Sequence, residues 1–583
     1  MMGSKEVRAL PLANVSSRPR LEWWMIPLIY AYRLFLCSTI RTVEAPDEWW
    51  QSTEVAYNMV FGKGHLPWEW HYGLRSVVFP GIVAVPFFLL KSLSLDTTWA
   101  VWFAPRALQA LVLTLIDICV FSIGSALDEL LMRSEAENVK VLLARGTRKG
   151  FDYLSREEDP TGKRRRRKDV CSSVAYTAMF LSLSNWYMAY GGVRLYGNVA
   201  EALFVLLALQ QRDYTVFLLV CGFASMIRVT SAVVLLPVAF YHLWKSVQKH
   251  GFLSGLCRVV FIGLLVLMTI VGGMMLLDYI FYGRWVLTPL AFFQFNVLHN
   301  LSRFFGEHPW YFYIGPVLVG IVGPHIIITL SAPFVLWRDA ATRAVVPYVS
   351  GILGIAAWTV GFYSLISHKE MRFIFVVIPL SLIVAAVVLS RCRRTSRSLF
   401  RLHLIFVMFN VIMIYVMGYV YRRGPLDVMA EVRRGPTINR LHVIATCYTV
   451  PGYSYVHKKV NNLSFIDCSI QLDDKTGLPK LTEDIMFRRY PKDYVLWKYD
   501  GVHSFNMTVP GERLKAADLQ SVVAPKSWPH PDMMVLTRAV AREIEEPFLK
   551  KHSYRLYRSF LHSPFTMVPY EDTHIEMWSK MNT

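Results

Sequence analysis

Ala45-Pro46-Asp47-Glu48-Trp49-Trp50-Gln51 stands just after the first hydrophobic segment, and Gly62-Lys63-Gly64-His65-Leu66-Pro67-Trp68-Glu69-Trp70 and Gly73-Leu74-Arg75-Ser76 follow closely. The stretch places paired carboxylates among tryptophans at a membrane surface. Carboxylates there are costly unless water, partners or chemistry hold them, so the cluster reads as a site on a membrane-embedded scaffold.

Composition agrees with that scaffold. Of 583 residues, 54% are hydrophobic and only 18% charged; mean hydropathy is +0.34. Several nearly uncharged runs reach roughly 20 residues, the length that crosses a bilayer as a helix. The chain reads as a mainly α, polytopic transmembrane protein. The run 23–40 follows a polar tail, 1–22, and lacks a small-residue cleavage site, so a retained anchor with a cytosolic N-terminus is expected. The net charge of +20 gathers at the ends of hydrophobic segments, as the positive-inside rule requires, and implies no nucleic-acid partner. Lys163-Arg164-Arg165-Arg166-Arg167-Lys168 reads as a cytosolic loop near anionic lipid.

Parity orders the crossings. The basic runs 163–168, 245–249 and 391–397 belong on one side. If both 77–90 and 99–126 crossed, the first of these runs would share a side with Asp47. The segment 77–90 is short and carries Pro80 and Pro86, so it is expected to be interfacial or re-entrant. Further crossings at 171–190, 199–210, 214–227, 229–243, 259–281, 312–337, 345–366, 373–390 and 400–421 bring the count to about eleven. The expected organisation is a tail 1–22, first helices 23–127 with a luminal loop 41–98, a basic cytosolic loop 128–170, and a bundle 171–421 with luminal loops 282–311 and 367–372. A luminal domain, 422–583, completes it. Sequons at Asn300, Asn462 and Asn506 fall on the Asp47 side, consistent with an endoplasmic reticulum lumen.

Beyond Arg422 the composition turns mixed polar and aromatic, with short apolar stretches at 441–445 and 494–497 between Pro and Gly breaks. A small mixed α/β domain of about 160 residues is expected, large enough for one core. Cys447 and Cys468 lie in it and can pair in an oxidising lumen, whereas the remaining cysteines lie in or beside membrane segments.

No phosphate-binding glycine loop, dinucleotide fingerprint, His-Glu-x-x-His pair or nucleophile elbow is present, nor an Asp-x-Asp triplet. A soluble nucleotide-sugar donor is therefore not expected, whereas a lipid phosphate emerging beside the acidic loop fits. His65 and His71 are isolated, so no metal and no cofactor are expected. The second polar cluster, Ser367-His368-Lys369-Glu370-Met371-Arg372-Phe373, suits a departing phosphate, because Lys and Arg stabilise it through charge-assisted hydrogen bonds. An interfacial anchor with snorkelling side chains is the alternative. Arg106 and Asp117 stand eleven residues apart on one helical face; they either line a donor cavity or pair with other helices.

Pro46-Asp47-Glu48 with Trp50-Gln51, and His368-Lys369-Glu370-Met371-Arg372-Phe373 downstream, resemble the glycosyltransferase family 22 mannosyltransferases, membrane enzymes of the GT-C fold that use dolichyl phosphate mannose. Gln51-Ser52-Thr53-Glu54-Val55-Ala56, Trp68-Glu69-Trp70, the run 447–457 and Phe465-Ile466-Asp467-Cys468 look most like the branch that adds the third mannose to the glycosylphosphatidylinositol (GPI) anchor precursor. The stretch 133–168 is longer than that family's usual connection.

The resemblance implies an α1,2 transfer from dolichyl phosphate mannose to the two-mannose GPI precursor in the endoplasmic reticulum membrane, by inverting displacement. It implies Asp47 as base and Glu48 as an acceptor-orienting carboxylate, unless Glu48 simply caps or pairs. His368, Lys369 and Arg372 fall to the donor phosphate, Arg75 either joins them or forms a loop-end ion pair, and Trp50, Gln51, Trp70 and Glu54 fall to acceptor or sugar contacts, with membrane lipid as a further partner. For most of the tryptophans, interfacial anchoring is favoured over sugar stacking. Rival readings are another family 22 enzyme, acting on the N-glycan precursor or adding a fourth anchor mannose, and a transporter, against which the chain shows no internal repeat.

Overall fold

The computed structural model describes residues 19–144, 173–299, 306–340, 342–395, 397–469, 483–501, 528–565 and 572–581. The basic run 163–168 and the sequons at Asn300 and Asn506 lie outside these residues. Among the described residues, four helices are long and apolar enough to cross a membrane: Thr98–Asn138, Phe252–Tyr282, Arg343–Leu365 and His403–Val420. A bent pair, Trp310–Val322 and His325–Trp337, makes a fifth if counted as one span. The chain is thus mainly helical and multi-pass. Six further apolar helices, among them Met25–Thr39, Val78–Ser92 and Gly197–Leu209, have 10–17 residues, below the ~20 that a 30 Å hydrocarbon core asks of an untilted helix. Of the eleven expected crossings, four or five are thus full-length apolar spans among the described residues.

Local chemistry explains the differences. The run 171–190 breaks at Asn185, whose side chain accepts from the Tyr187 and Met188 amides and caps a new helix, Trp186–Tyr190. The run 312–337 bends by 102° at Gly323-Pro324. Gly323 has φ +70°, which glycine alone adopts without cost, and Pro324 cannot extend the preceding hydrogen-bond ladder. The run 229–243 opens as the short turn Ser231–Val234 before the helix Leu236–His250. The segment expected to be interfacial or re-entrant forms the 15-residue helix Val78–Ser92, with Pro86 inside it.

The C-terminal part is a five-stranded sheet with flanking helices. Its strands are β1 (Ile438–Ile444), β2 (Val460–Phe465), β3 (Met533–Thr537), β4 (Tyr554–Leu561) and β5 (His574–Lys580), in the order β2-β1-β3-β5-β4. β1 runs parallel to β2 and β3, and β5 antiparallel to β3 and β4. The edge strand β4 exposes Arg555 and Arg558, charges that discourage pairing with another chain. One sheet face packs Val443, Val535 and Met577 against the helix Gly424–Arg434 and against Val43, Trp49 and Trp50 of the first loop. The opposite face packs Ile444, Met534, Leu536 and Trp578 against the helices Glu483–Arg489, Pro491–Asp500 and Arg538–Ile544. The apolar stretch 441–445 is thus mostly strand and 494–497 helix. Cys447 and Cys468 form a disulfide with a Cα–Cα distance of 5.9 Å, joining the segments that follow β1 and β2.

Candidate active site

Pro46 supplies the carbonyl that accepts from the Trp49 and Trp50 amides, turning the chain into the helical stretch that begins at Trp49. Successive side chains on such a turn diverge, so the adjacent carboxylates separate. Asp47 remains 28% exposed and Glu48 15%. Trp49 and Trp50, buried under the sheet, fix the backbone between loop and domain.

Asp47 Oδ2 accepts from Gln51 Nε2 at 2.5 Å and from Arg372 Nη2. Arg372 is buried. It holds Glu370 through Nε at 2.7 Å and Nη2 at 2.8 Å, and its guanidinium lies 4.8 Å from the centre of the Tyr196 ring. His368 Nε2 meets Glu370 Oε1 at 3.0 Å. Burial alone would raise the Glu370 carboxyl, but Arg372 and His368 outweigh it and hold it well below the usual range. The two clusters of the sequence thus meet through one buried arginine. Lys369 points elsewhere: its buried ammonium donates to the His308 carbonyl at 2.8 Å and to that of Ile366.

Glu48 turns inward to Arg194, whose Nη1 donates to Glu48 Oε2 at 2.6 Å and to the Thr42 carbonyl at 2.8 Å. Arg194 Nε is 3.6 Å from Glu44 Oε2, and Tyr187 donates to Glu44 Oε1. Burial raises the Glu48 and Glu44 carboxyls despite this arginine. Glu48 is therefore committed to a buried network beside Arg106 and Gln109, which line the same small cavity.

A larger cavity opens beside Asp47. Gln51, Trp70, Arg75, Asn198 and Arg228 share its lining. Arg75 is paired with Glu69 at 2.6 Å. Arg228 is paired with Glu201 at 3.1 Å and donates to the Tyr363 hydroxyl at 3.3 Å. Trp70 is buried, and its Nε1 has no hydrogen-bond partner among the described residues. Asp278 pins the cavity rim by accepting from Ser76 Oγ and the Val77 amide at 2.9 Å, and from Thr288 Oγ1 at 3.0 Å.

Trp50 and Glu54 lie outside this cavity's lining. Trp50 Nε1 donates to the Val450 carbonyl at 3.2 Å, and its ring packs edge-on to Phe465 at 4.9 Å. Glu54 Oε1 accepts from the Gly452 and Ser454 amides at 2.9 and 3.0 Å and from Ser454 Oγ at 2.5 Å. These contacts tie the loop after Cys447 to the first loop. A Cβ on Gly452 would sit 2.6 Å from Glu54 Oε2, so glycine permits the approach. Burial lifts the Glu54 carboxyl from its ordinary 4.5 to about 7, against the pull of these donors. A raised carboxyl pKa stabilises the fold fully below pH 4.5, and that stability is lost as pH rises through 7. The wild type should be about 2 kcal/mol less stable at pH 8 than at pH 5.5 and should unfold at a lower temperature there. Glu54→Gln should flatten this dependence; equal slopes in thermal unfolding would refute the assignment.

Sequence reasoning missed Arg194, Arg228 and Asp278. Each is a charge set within or at the end of an otherwise apolar run, which is the available signal. Of the alternatives for Asp117 and Arg106, pairing with another helix holds for Asp117. Asp117 pairs with Arg33 at 2.8 Å through both oxygens and accepts from Ser182, whereas Arg106 lines the small cavity beside Glu48.

Residues 24–457 match the Alg9-like mannosyltransferase family. The chain is 70% identical to GPI mannosyltransferase 3 of Trypanosoma brucei brucei over 565 residues, covering 96% of this chain and 100% of that protein. It is 28% identical to GPI alpha-1,2-mannosyltransferase 3 of Xenopus laevis over 464 residues, 77% of this chain and 76% of that one. The crystal structure of ArnT from Cupriavidus metallidurans bound to undecaprenyl phosphate aligns with 95% of this chain and 97% of its own, at a TM-score of 0.49 and 12% identity.

Proposed function

The chain belongs to the Alg9-like mannosyltransferase family, and on that premise we propose that it adds the third mannose, in α1,2 linkage, to the GPI anchor precursor, with dolichyl phosphate mannose as donor. The observation that carries this reading is the 70% identity to GPI mannosyltransferase 3 across that protein's whole length. The same reading assigns a GT-C architecture, residence in the endoplasmic reticulum membrane and a luminal site, with the C-terminal sheet covering it from the lumen.

A β-linked donor giving an α product requires inversion by one in-line displacement. The acceptor hydroxyl oxygen attacks the anomeric carbon, its proton passes to the Asp47 carboxylate, and the bond to the phosphate oxygen breaks with its electron pair left on phosphate. Gln51 and Arg372 orient Asp47. Arg75 and Arg228, on the cavity wall, receive the phosphate charge, with guanidinium geometry suited to bidentate contact. Trp70 offers a sugar face and an indole donor. Glu48, locked by Arg194, shapes the loop. His368 acts on Arg372 through Glu370, and Lys369 holds the neighbouring loop.

Microsomes lacking the endogenous activity, given dolichyl phosphate mannose and the two-mannose precursor, should yield a three-mannose product sensitive to α1,2-mannosidase. Elongation of an N-glycan precursor instead would move the assignment within the family. In this assay Arg228→Met should lower turnover about 100-fold with little change in acceptor KM; a normal rate would remove Arg228 from the phosphate site.

A further inference from the structure

The outer layer of the C-terminal domain carries a polar cluster that the transfer does not use. Asp500 ends the helix Pro491–Asp500, His530 lies in the segment entering β3, and His552 follows the helical stretch Glu545–Lys550 just before β4. One ligand-capable atom from each lies within 4.8 Å of the others. The three are distant in sequence and converge only because the sheet brings these segment ends together.

Asp500 Oδ1 lies 2.8 Å from His552 Nε2, and the imidazoles of His530 and His552 are 4.3 Å apart. His530 Nδ1 is buried without a hydrogen-bond partner among the described residues. Tyr499 and Phe548 stack on His530 at 5.7 and 5.8 Å, so apolar surface walls the cluster. The Asp500 carboxylate sits at a helix C-terminus, where the last carbonyls add negative potential and a cation is stabilised. Lys551 Nζ takes the far oxygen, Oδ2, at 2.7 Å, which leaves Oδ1 facing the histidines.

We propose that Asp500, His530 and His552 bind a divalent transition-metal ion, best matched by Zn²⁺, with water as fourth ligand. Two imidazoles and one carboxylate form a set suited to zinc, whereas Ca²⁺ and Mg²⁺ prefer all-oxygen shells. A tetrahedron with bonds of ~2.1 Å has edges of about 3.4 Å. The ligand atoms, all within 4.8 Å of one another, lie near that spacing, with the two imidazoles tilted at 36°. Lys551 on the outer oxygen would orient the carboxylate, as second contacts commonly do. The cluster belongs to the sheet face opposite Trp49 and Trp50, so the ion would staple three segment ends of the domain and take no part at Asp47.

The test uses the full-length protein in detergent, stripped with chelator, dialysed against ZnCl₂ and measured by inductively coupled plasma mass spectrometry. One zinc per chain is expected, together with a visible absorption typical of tetrahedral sites after cobalt replacement. The variant His530→Gln/His552→Gln should lose both, along with a zinc-dependent rise of a few degrees in unfolding temperature. Wild type that retains less than about a tenth of an equivalent, or a double variant that binds as much as wild type, overturns the proposal. If the variant does not fold, the wild-type stoichiometry and cobalt spectrum still decide.

Discussion

Asp47→Asn is expected to lower mannosyl transfer about 10³-fold, the usual scale for removing a positioned general base. Asparagine keeps the size of the side chain and can still accept from Gln51, so the loop should keep its shape. What it loses is the capacity to take the acceptor proton and the charge that Arg372 holds. Because Asp47 is 28% exposed, its pairing with Arg372 contributes modestly to stability, and unfolding temperature should change little. Initial rates at matched expression, with thermal unfolding as control, separate chemistry from folding. Glu48→Gln provides the contrast: Glu48 lies in the Arg194 network, so its loss should act mainly on stability. If Asp47→Asn kept more than a tenth of the rate while Glu48→Gln abolished it, the base would be Glu48.

Asp117→Leu should destabilise the protein by about 3–5 kcal/mol, because it leaves Arg33 charged and unpaired in the interior. Both side chains are 0% exposed, and the pair is bidentate at 2.8 Å, with Ser182 donating to the same carboxylate. It joins Met25–Thr39 to Thr98–Ala144, so its loss should loosen the first helix. The double variant Arg33→Met/Asp117→Leu should recover most of the loss, since apolar replacements of similar size remove the desolvation penalty together with the attraction. Fluorescence-detected size-exclusion after graded heating measures both. A single variant as stable as wild type would show that water reaches this pair.

The cavity lining was legible where it was local. Asp47, Gln51, Trp70 and Arg75 lie within one loop, and all of them line the cavity. Arg372 was legible as a cation beside an apolar run, but not as the direct partner of Asp47, 325 residues away. Arg194 and Arg228 carried weaker marks, each a single charge beside apolar helices. Lys369, Trp50 and Glu54 carry side chains suited to phosphate or sugar, and their rotamers aim them at backbone and at the sheet instead.

By itself, the sequence determined the membrane class, the helical character, the change to mixed structure in the C-terminal part and the pair of polar clusters. These follow from hydropathy, charge placement and turn residues, which act over a few residues and are therefore written in order along the chain. The tertiary structure alone decided which of two neighbouring carboxylates opens to the cavity, which charges neutralise each other in the interior, and where long apolar runs break. Those outcomes depend on desolvation and on partners far apart in sequence: Arg194 draws Glu48 inward, Arg372 holds Asp47 at the opening, and Asn185 and Gly323 interrupt runs whose composition alone would let a helix continue.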